Sequence, residues 1–195
     1  MSRRRIVVAM SGASGAIYGV RILEVLAADA SIETHAVIST GAAATIEYET
    51  GRRVEDVAGL ADVVHDERNL AATLASGTYR TDGMVIAPCS IRTLASVANS
   101  LNDNLITRAA DVHLKERRRL VLMVRETPLH LGHLRLMSDA TAAGAVILPP
   151  VPGFYTRPES VVDIVNHSVG KALDVLGIAH ELFPRWAGIE RADQS

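Results

Sequence analysis

Short runs of consecutive apolar residues recur along this chain, each closed by a polar turn and followed by apolar positions at helical spacing. Ile6 to Met10 (IVVAM), Thr34 to Ser39, Gly83 to Ala87 (GMVIA), Leu120 to Val124 and Ala145 to Leu148 read as strands. Runs this short, rich in β-branched residues and without polar alternation, suit strands covered on both faces. Between them the pattern predicts a helix through about Ala28 with Tyr18, Val20, Ile22, Leu23 and Leu26 as its apolar positions, and a second helix carrying Glu47 and Glu49. It also predicts a short helix near Val54 to Leu60, one opened by Ser90, Ile91, Arg92 and Thr93, and one across Arg108 to Lys115. Two more follow over His130 to Ala143 and Pro158 to Leu176, Pro158 being tolerated in a first turn. Residues 51 to 82 carry little other pattern, and Pro88-Cys89-Ser90 is expected to break the third strand. Strands alternating with helices predict an α/β fold: a single-domain, doubly wound, mostly parallel sheet of Rossmann or flavodoxin-like type with helices on both faces. The domain is expected to take in residues 1–195, with a C-terminal tail from about residue 178.

Sites in such sheets form beyond the carboxyl ends of the strands, and Ser14, Ser39, Ser90 and Arg125 all fall there. The turn Ser11-Gly12-Ala13-Ser14-Gly15-Ala16 joins a strand to a helix, so its N–H groups are a candidate anion site, or simply a tight turn. A dinucleotide site would add Gly-x-Gly-x-x-Gly here and an acidic residue after the second strand. This chain has neither, since the second strand ends in Ser39, and a mononucleotide is the better expectation.

The stretch from Ala87 to Pro128 concentrates the remaining chemistry. Arg108, Asp111 and Lys115 stand at i, i+3 and i+7 and share one helix face, while Leu105, Ala109 and Val112 can turn to a core. The charged face reads either as a solvated surface with two intrahelical ion pairs or as part of a site.

Composition narrows the class. The chain has 195 residues, 48% hydrophobic and 22% charged, enough for one sizeable core. A net charge of −2 argues against a nucleic-acid surface and makes Arg117-Arg118-Arg119 a local basic patch. A lone cysteine, Cys89, suits a reducing cytosol and reads as a small buried residue. No stretch approaches the roughly 18 apolar residues of a membrane helix, so a soluble cytoplasmic protein is expected. His130 and His133 read as surface residues, and no metal site is expected. Lys115 and Lys171 are the only lysines among 20 basic residues, and Pro149 to Pro158 is a proline-rich loop carrying Phe154-Tyr155.

With the strand ends located, an ordered set of motifs stands out: GASGA from Gly12, PCS from Pro88, RAADVHLKERR from Arg108, RETP from Arg125, PGFYTRP from Pro152 and PRW from Pro184. Together, over nearly the whole chain, they resemble the flavin prenyltransferase family, the UbiX-type proteins grouped with homo-oligomeric flavin-containing decarboxylase folds. Members attach a dimethylallyl unit from dimethylallyl phosphate to N5 and C6 of reduced FMN, making the prenylated flavin used by UbiD-type decarboxylases. The resemblance implies a homo-oligomer, with a dodecamer suggested, and FMN contacts from Gly12, Ala13, Ser14, Ser39, Ser90, Ile91, Arg92, Thr93 and Arg125. It gives the prenyl phosphate to Lys115, Tyr155 and Lys171, with Arg108 nearby, and proton handling to Ser14, Glu49 and Glu126. Two positions depart from the family pattern: Leu70 stands about where many members have tryptophan, and Lys171 where many have arginine.

Those residue types suit that chemistry. Cleaving an allyl phosphate releases a dianion, which cations must hold, and joining carbon to C6 requires removal of a proton. Glu126 reads as the base, or as a plain ion-pair partner of Arg125. Trp186 and Phe183 read as the family's aromatic end or as terminal packing. Two alternatives remain open: an FMN-binding accessory subunit of an aromatic acid decarboxylase that does not turn over, and a flavin-dependent cysteine decarboxylase. The second lacks a Met-Asn-x-x-Met-Trp type motif near the proline-rich loop.

Overall fold

A computed structural model describes residues 3–186 and 188. Six strands, β1 (Arg4–Met10), β2 (Ile32–Ile38), β3 (Val63–His65), β4 (Gly83–Cys89), β5 (Leu120–Val124) and β6 (Val146–Ile147), form one sheet in the order β3-β2-β1-β4-β5-β6. Every pairing is parallel. The order reverses between β1 and β4, which opens a crevice at the carboxyl ends of those two strands.

Side-chain alternation along the strands makes two cores. Ile6, Val8, Met10, Val85, Ala87, Val121 and Met123 pack under α1 (Ala16–Ala27), α2 (Thr40–Thr50), α3 (Val54–Ala58) and α7 (Val161–Leu176). Val7, Ala9, Met84, Ile86, Leu120, Leu122 and Val124 pack under α4 (Ile91–Ala98), α5 (Leu105–Lys115) and α6 (Leu131–Ala143). Both faces of the central strands are thus dry, which is why they read as unbroken apolar runs. Helix α1 lies close enough on β4 that a Cβ at Gly19 would sit 2.2 Å from the Ala87 carbonyl oxygen, so only glycine fits there.

Several expected boundaries move. Strand β4 continues through Pro88 to Cys89 instead of breaking at Pro88; the Pro88 carbonyl accepts from Ser11 N–H at 3.1 Å, and the ladder to β5 resumes at Cys89 after a register shift. Helix α7 begins at Val161, not Pro158, because Ser160 and Asp163 close a reciprocal capping box that sets the first turn. Strand β3 lies inside the stretch that looked uninformative, since three residues with His65 as one of them leave no apolar run to read. Ser39 lies just beyond β2, and its side chain caps α2 by accepting from Ala42 N–H at 3.1 Å.

Candidate active site

The carboxyl ends of β1, β2, β4 and β5 are stitched together at the crevice. Ser39 N–H donates to the Met10 carbonyl at 3.0 Å and Arg125 N–H to the Cys89 carbonyl at 3.0 Å. Ser11, which the motif reading passed over, is the central knot. Its hydroxyl donates to the Pro88 carbonyl at 3.0 Å and accepts from Ser90 N–H at 2.8 Å. The signal was its place as the first polar residue after β1. Around this knot the Gly12 and Gly41 turns meet so closely that a Cβ on either would lie 3.2 Å from the other's Cα.

A cleft of about 620 Å³ opens here, within the size of small-molecule sites. Of the expected residues, Gly12, Ser39, Ser90, Ile91, Arg92, Thr93 and Glu126 line it, joined by Ser11, Thr40, Glu67, Ser96, Asn104 and Thr107. Ala13 lies in the turn between Gly12 and Ser14, its N–H donating to the Ser11 carbonyl at 2.8 Å. Asn104 and Thr107 close a capping box at the head of α5, a sequence signal of Asn three residues before Thr that was there to be read.

A second hollow of about 360 Å³ holds Ser14, Glu49 and Arg125, with Tyr18, Pro150, Val161, Ile164 and Val165 on its walls. Glu49 reaches across from the end of α2 to the start of α1, where one carboxylate oxygen accepts from Gly15 N–H at 2.8 Å and Ala16 N–H at 3.0 Å. The candidate anion site of the first turn is therefore filled by the chain's own carboxylate. Burial opposes the Glu49 charge, but hydrogen bonds from the Ser14 side chain and the two N–H groups, with the Arg125 charge, outweigh it and lower its pKa. At the head of α2, likewise, Glu67 accepts from Thr40 N–H at 2.8 Å and from the Thr40 hydroxyl at 2.6 Å. The head of α4 carries no such carboxylate among the described contacts: Ser90 caps Thr93 N–H at 3.2 Å, and Ile91 and Arg92 line the cleft beside it. That end offers N–H groups, two hydroxyls and a guanidinium to an anion.

Arg125 and Glu126 are successive residues at the end of β5 and face different hollows. The Arg125 charge acts on Glu49 and Tyr18, whereas Glu126 has one recorded bond, from Thr127 N–H at 3.0 Å. The ion-pair reading of Glu126 with Arg125 has no support in this arrangement.

Four expected phosphate residues do not line either hollow of the same chain. Arg108 turns towards the 3₁₀ turn Thr73–Ala75, donating to the Ala75 carbonyl at 3.0 Å and to Asp111 at 3.0 Å. Lys115 ends α5 at the amino edge of the sheet and pairs with Glu116. The expected pair of ion pairs on that face is thus one, Arg108 with Asp111. Tyr155 and Lys171 lie on the outside of α7, where the Tyr155 hydroxyl is 2.8 Å from His167 Nε2. The tail folds back on the same face: Phe183 packs on His167, Trp186 meets Tyr155 edge-on at 5.8 Å, and Arg185 forks onto Asp174 at 2.6 and 2.8 Å. Leu70 lies in an exposed turn three residues beyond Glu67.

The remaining candidates are structural. Burial pushes the Cys89 thiol up to about 12, so it is no nucleophile at neutral pH. The rings of His130 and His133 meet at the head of α6, tilted by 35° with centroids 3.6 Å apart. No described helix is long and apolar enough to cross a membrane.

Residues 1–171 match the Flavoprotein family. The chain is 59% identical over 189 residues to a flavin prenyltransferase UbiX of Thauera aromatica, covering 97% of both. It belongs to the flavin prenyltransferase family. Its fold matches the crystal structure of AnUbiX (PadA1) in complex with FMN and dimethylallyl pyrophosphate at TM-score 0.94 and 51% identity, over 96% of this chain and 100% of that one. A dodecameric FMN-dependent Ubix-like decarboxylase from Escherichia coli O157:H7 matches at TM-score 0.92 and 47% identity, over 94% and 100%. The cleft and hollow of this chain therefore belong to a flavoprotein fold, and the donor set at the head of α4 fits the phosphate of a mononucleotide such as FMN.

Proposed function

We propose that this chain transfers a dimethylallyl group from dimethylallyl phosphate to reduced FMN, and that the product serves a UbiD-type decarboxylase. The observation that carries the reading is the near-complete match to a structure that holds both FMN and dimethylallyl pyrophosphate. Reduced FMN, when bound, supplies the electron-rich N5 and C6 that accept the allyl carbon. Ser39, Ser90, Thr93 and the N–H groups of Ile91 and Arg92 hold its phosphate, with Gly12 and Ala13 admitting its chain close to the backbone. Glu126 takes the proton from C6. Ser14, hydrogen-bonded to Glu49, passes a proton between the hollow and solvent, and the Arg125 charge adds to the hydrogen bonds that favour the Glu49 carboxylate. Arg108, Lys115, Tyr155 and Lys171 hold the prenyl phosphate, and cations suffice for a dianionic leaving group.

Because those four residues lie away from the hollows of their own chain, the site is completed by neighbouring copies in a homo-oligomer, a dodecamer as described for the Escherichia coli protein. Exposed apolar residues at the carboxyl edge support this: Phe154 is 70% exposed and Val161 76%. The chain acts as one flavin-binding domain with its tail from about residue 178, in the cytoplasm, where its lone buried cysteine stays reduced.

Anaerobic incubation with reduced FMN and dimethylallyl phosphate, with dimethylallyl pyrophosphate in parallel, tests the reading. A flavin product heavier by one prenyl unit is expected by mass spectrometry. FMN binding without product from either donor would return the chain to an accessory flavin-binding role.

A further inference from the structure

The Tyr155 hydroxyl does not stand free: it is held at 2.8 Å by Nε2 of His167, a residue 8% exposed on α7. The contact is built into the fold. Gly153 lets the proline-rich loop lie directly on the imidazole, since a Cβ there would fall 2.9 Å from His167 Cε1 and 3.1 Å from Tyr155 Cε1. From the other side Phe183 packs on the ring with centroids 4.8 Å apart. The imidazole is thus clamped between loop and tail, with its only recorded polar contact at Nε2.

His167 Nδ1 is buried and has no partner among the described residues. Burial, with the Lys171 charge one turn along α7, lowers the His167 pKa and favours the neutral ring. A neutral imidazole has one N–H, on either nitrogen. With the hydrogen on Nδ1, a buried donor would be orphaned, the rarer defect in proteins. With the hydrogen on Nε2, the tautomer histidine favours in water, the ring donates to the Tyr155 oxygen and only a lone pair at Nδ1 goes unmatched. The phenol hydrogen is then free to donate outward, and its donor strength rises because its oxygen already accepts.

We propose that His167 is a positioning residue for prenyl phosphate binding: through Nε2–H it fixes the Tyr155 oxygen and directs the phenol hydrogen to a phosphate oxygen beside the Lys171 ammonium. The inference rests on the reading of Tyr155 and Lys171 as phosphate ligands.

The test titrates dimethylallyl phosphate into oxidised FMN-loaded protein by calorimetry, where no turnover occurs, and measures KM and kcat anaerobically with reduced FMN. His167→Phe is expected to weaken binding and raise KM roughly tenfold, the size of one lost hydrogen bond to a charged group, with kcat changing less. His167→Gln, whose amide nitrogen reaches the Nε2 position, should restore most of the affinity, and His167→Asn, whose nitrogen falls at Nδ1, should not. Tyr155→Phe combined with His167→Phe should bind no more weakly than Tyr155→Phe alone. Wild-type affinity in His167→Phe, equal losses in the Gln and Asn variants, or additive losses in the double variant would each overturn the proposal. If His167→Phe does not fold, the Gln and Asn pair decides alone. Intact dimethylallyl phosphate binding without any prenylated product would sink the proposed reaction and leave the role of His167 standing. Unchanged binding in Tyr155→Phe would sink the role and leave the reaction standing.

Discussion

The cleft at the strand ends and the outer faces of α5 and α7 were assigned to the same reaction, yet they are built in opposite ways. At the strand ends, Ser11, Ser39, Ser90 and Arg125 are drawn together by hydrogen bonds between neighbouring strands, so one chain assembles the proposed flavin side of the site. On the helices, Arg108 and Lys115 lie along α5 on one side of the sheet, and Lys171 lies on α7 on the other. A parallel sheet brings its strand ends to one edge by construction. Helices on its two faces turn their polar sides outward in different directions, so the proposed phosphate site needs another copy of the chain to gather them. On the proposed assignment, the flavin half of the site would be a property of the fold, and the phosphate half a property of the assembly.

That contrast is open to direct attack, and the largest effect should come from within the cleft. Glu126→Gln keeps the shape of the side chain and removes the base, so turnover should fall by roughly 10² to 10⁴ with FMN affinity unchanged. Unaltered turnover would take Glu126 out of the chemistry.

Next in size is Lys115→Ala, expected to cost about 2–3 kcal/mol in prenyl phosphate binding, or roughly 30- to 150-fold. Its sharper use is a mixing experiment. Oligomers refolded from Lys115→Ala and Glu126→Gln chains together should regain activity that neither shows alone, because some sites would draw both intact residues from different copies. No recovery in demonstrably mixed oligomers would mean that each chain completes its own site.

A smaller effect belongs to the head of α4. Ser90→Ala removes the hydroxyl that accepts from Thr93 N–H, a cap worth about 1 kcal/mol, and should lower Tm and weaken FMN about fivefold. Loss of stability without loss of FMN affinity would confine Ser90 to capping.

The smallest effect concerns Glu49 and pH. Its pKa is lowered in the folded chain from the ordinary 4.5, so the stability it contributes is complete above that value and is lost as pH falls through the lower folded-state pKa. Glu49→Gln should therefore lower Tm at neutral pH, and the gap to the unaltered protein should close in acid. A gap that is constant with pH would show that the Glu49 contribution is not its charge.

Much of this was legible in the chain because it depends on local pattern. Apolar runs such as Ile6 to Met10 and Leu120 to Val124 mark strands buried on both sides, and their alternation with helical stripes specifies a doubly wound sheet. The polar residues that follow each run then fall at one edge, whatever the details of packing. Ser39, Ser90 and Arg125 could be placed at the site for that reason alone. Strand β3 could not, because its three residues, two valines and a histidine, are too few to carry a period. Nor could Ser11, whose part as a knot depends on Pro88, 77 residues away.

What only the tertiary structure decided is direction and partnership. Periodicity says that Arg108, Asp111 and Lys115 share a helix face, but not that Arg108 reaches the Ala75 carbonyl and Asp111 while Lys115 ends at the far edge of the sheet. Neighbours in sequence say that Arg125 and Glu126 are adjacent, but just past the end of β5 they face separate hollows. Glycines after a strand say that backbone N–H groups are available, and only the arrival of Glu49 from α2 shows that the first turn is already occupied. Each of these is a contact between segments far apart in the chain, and its geometry depends on how whole elements pack, which no local pattern encodes.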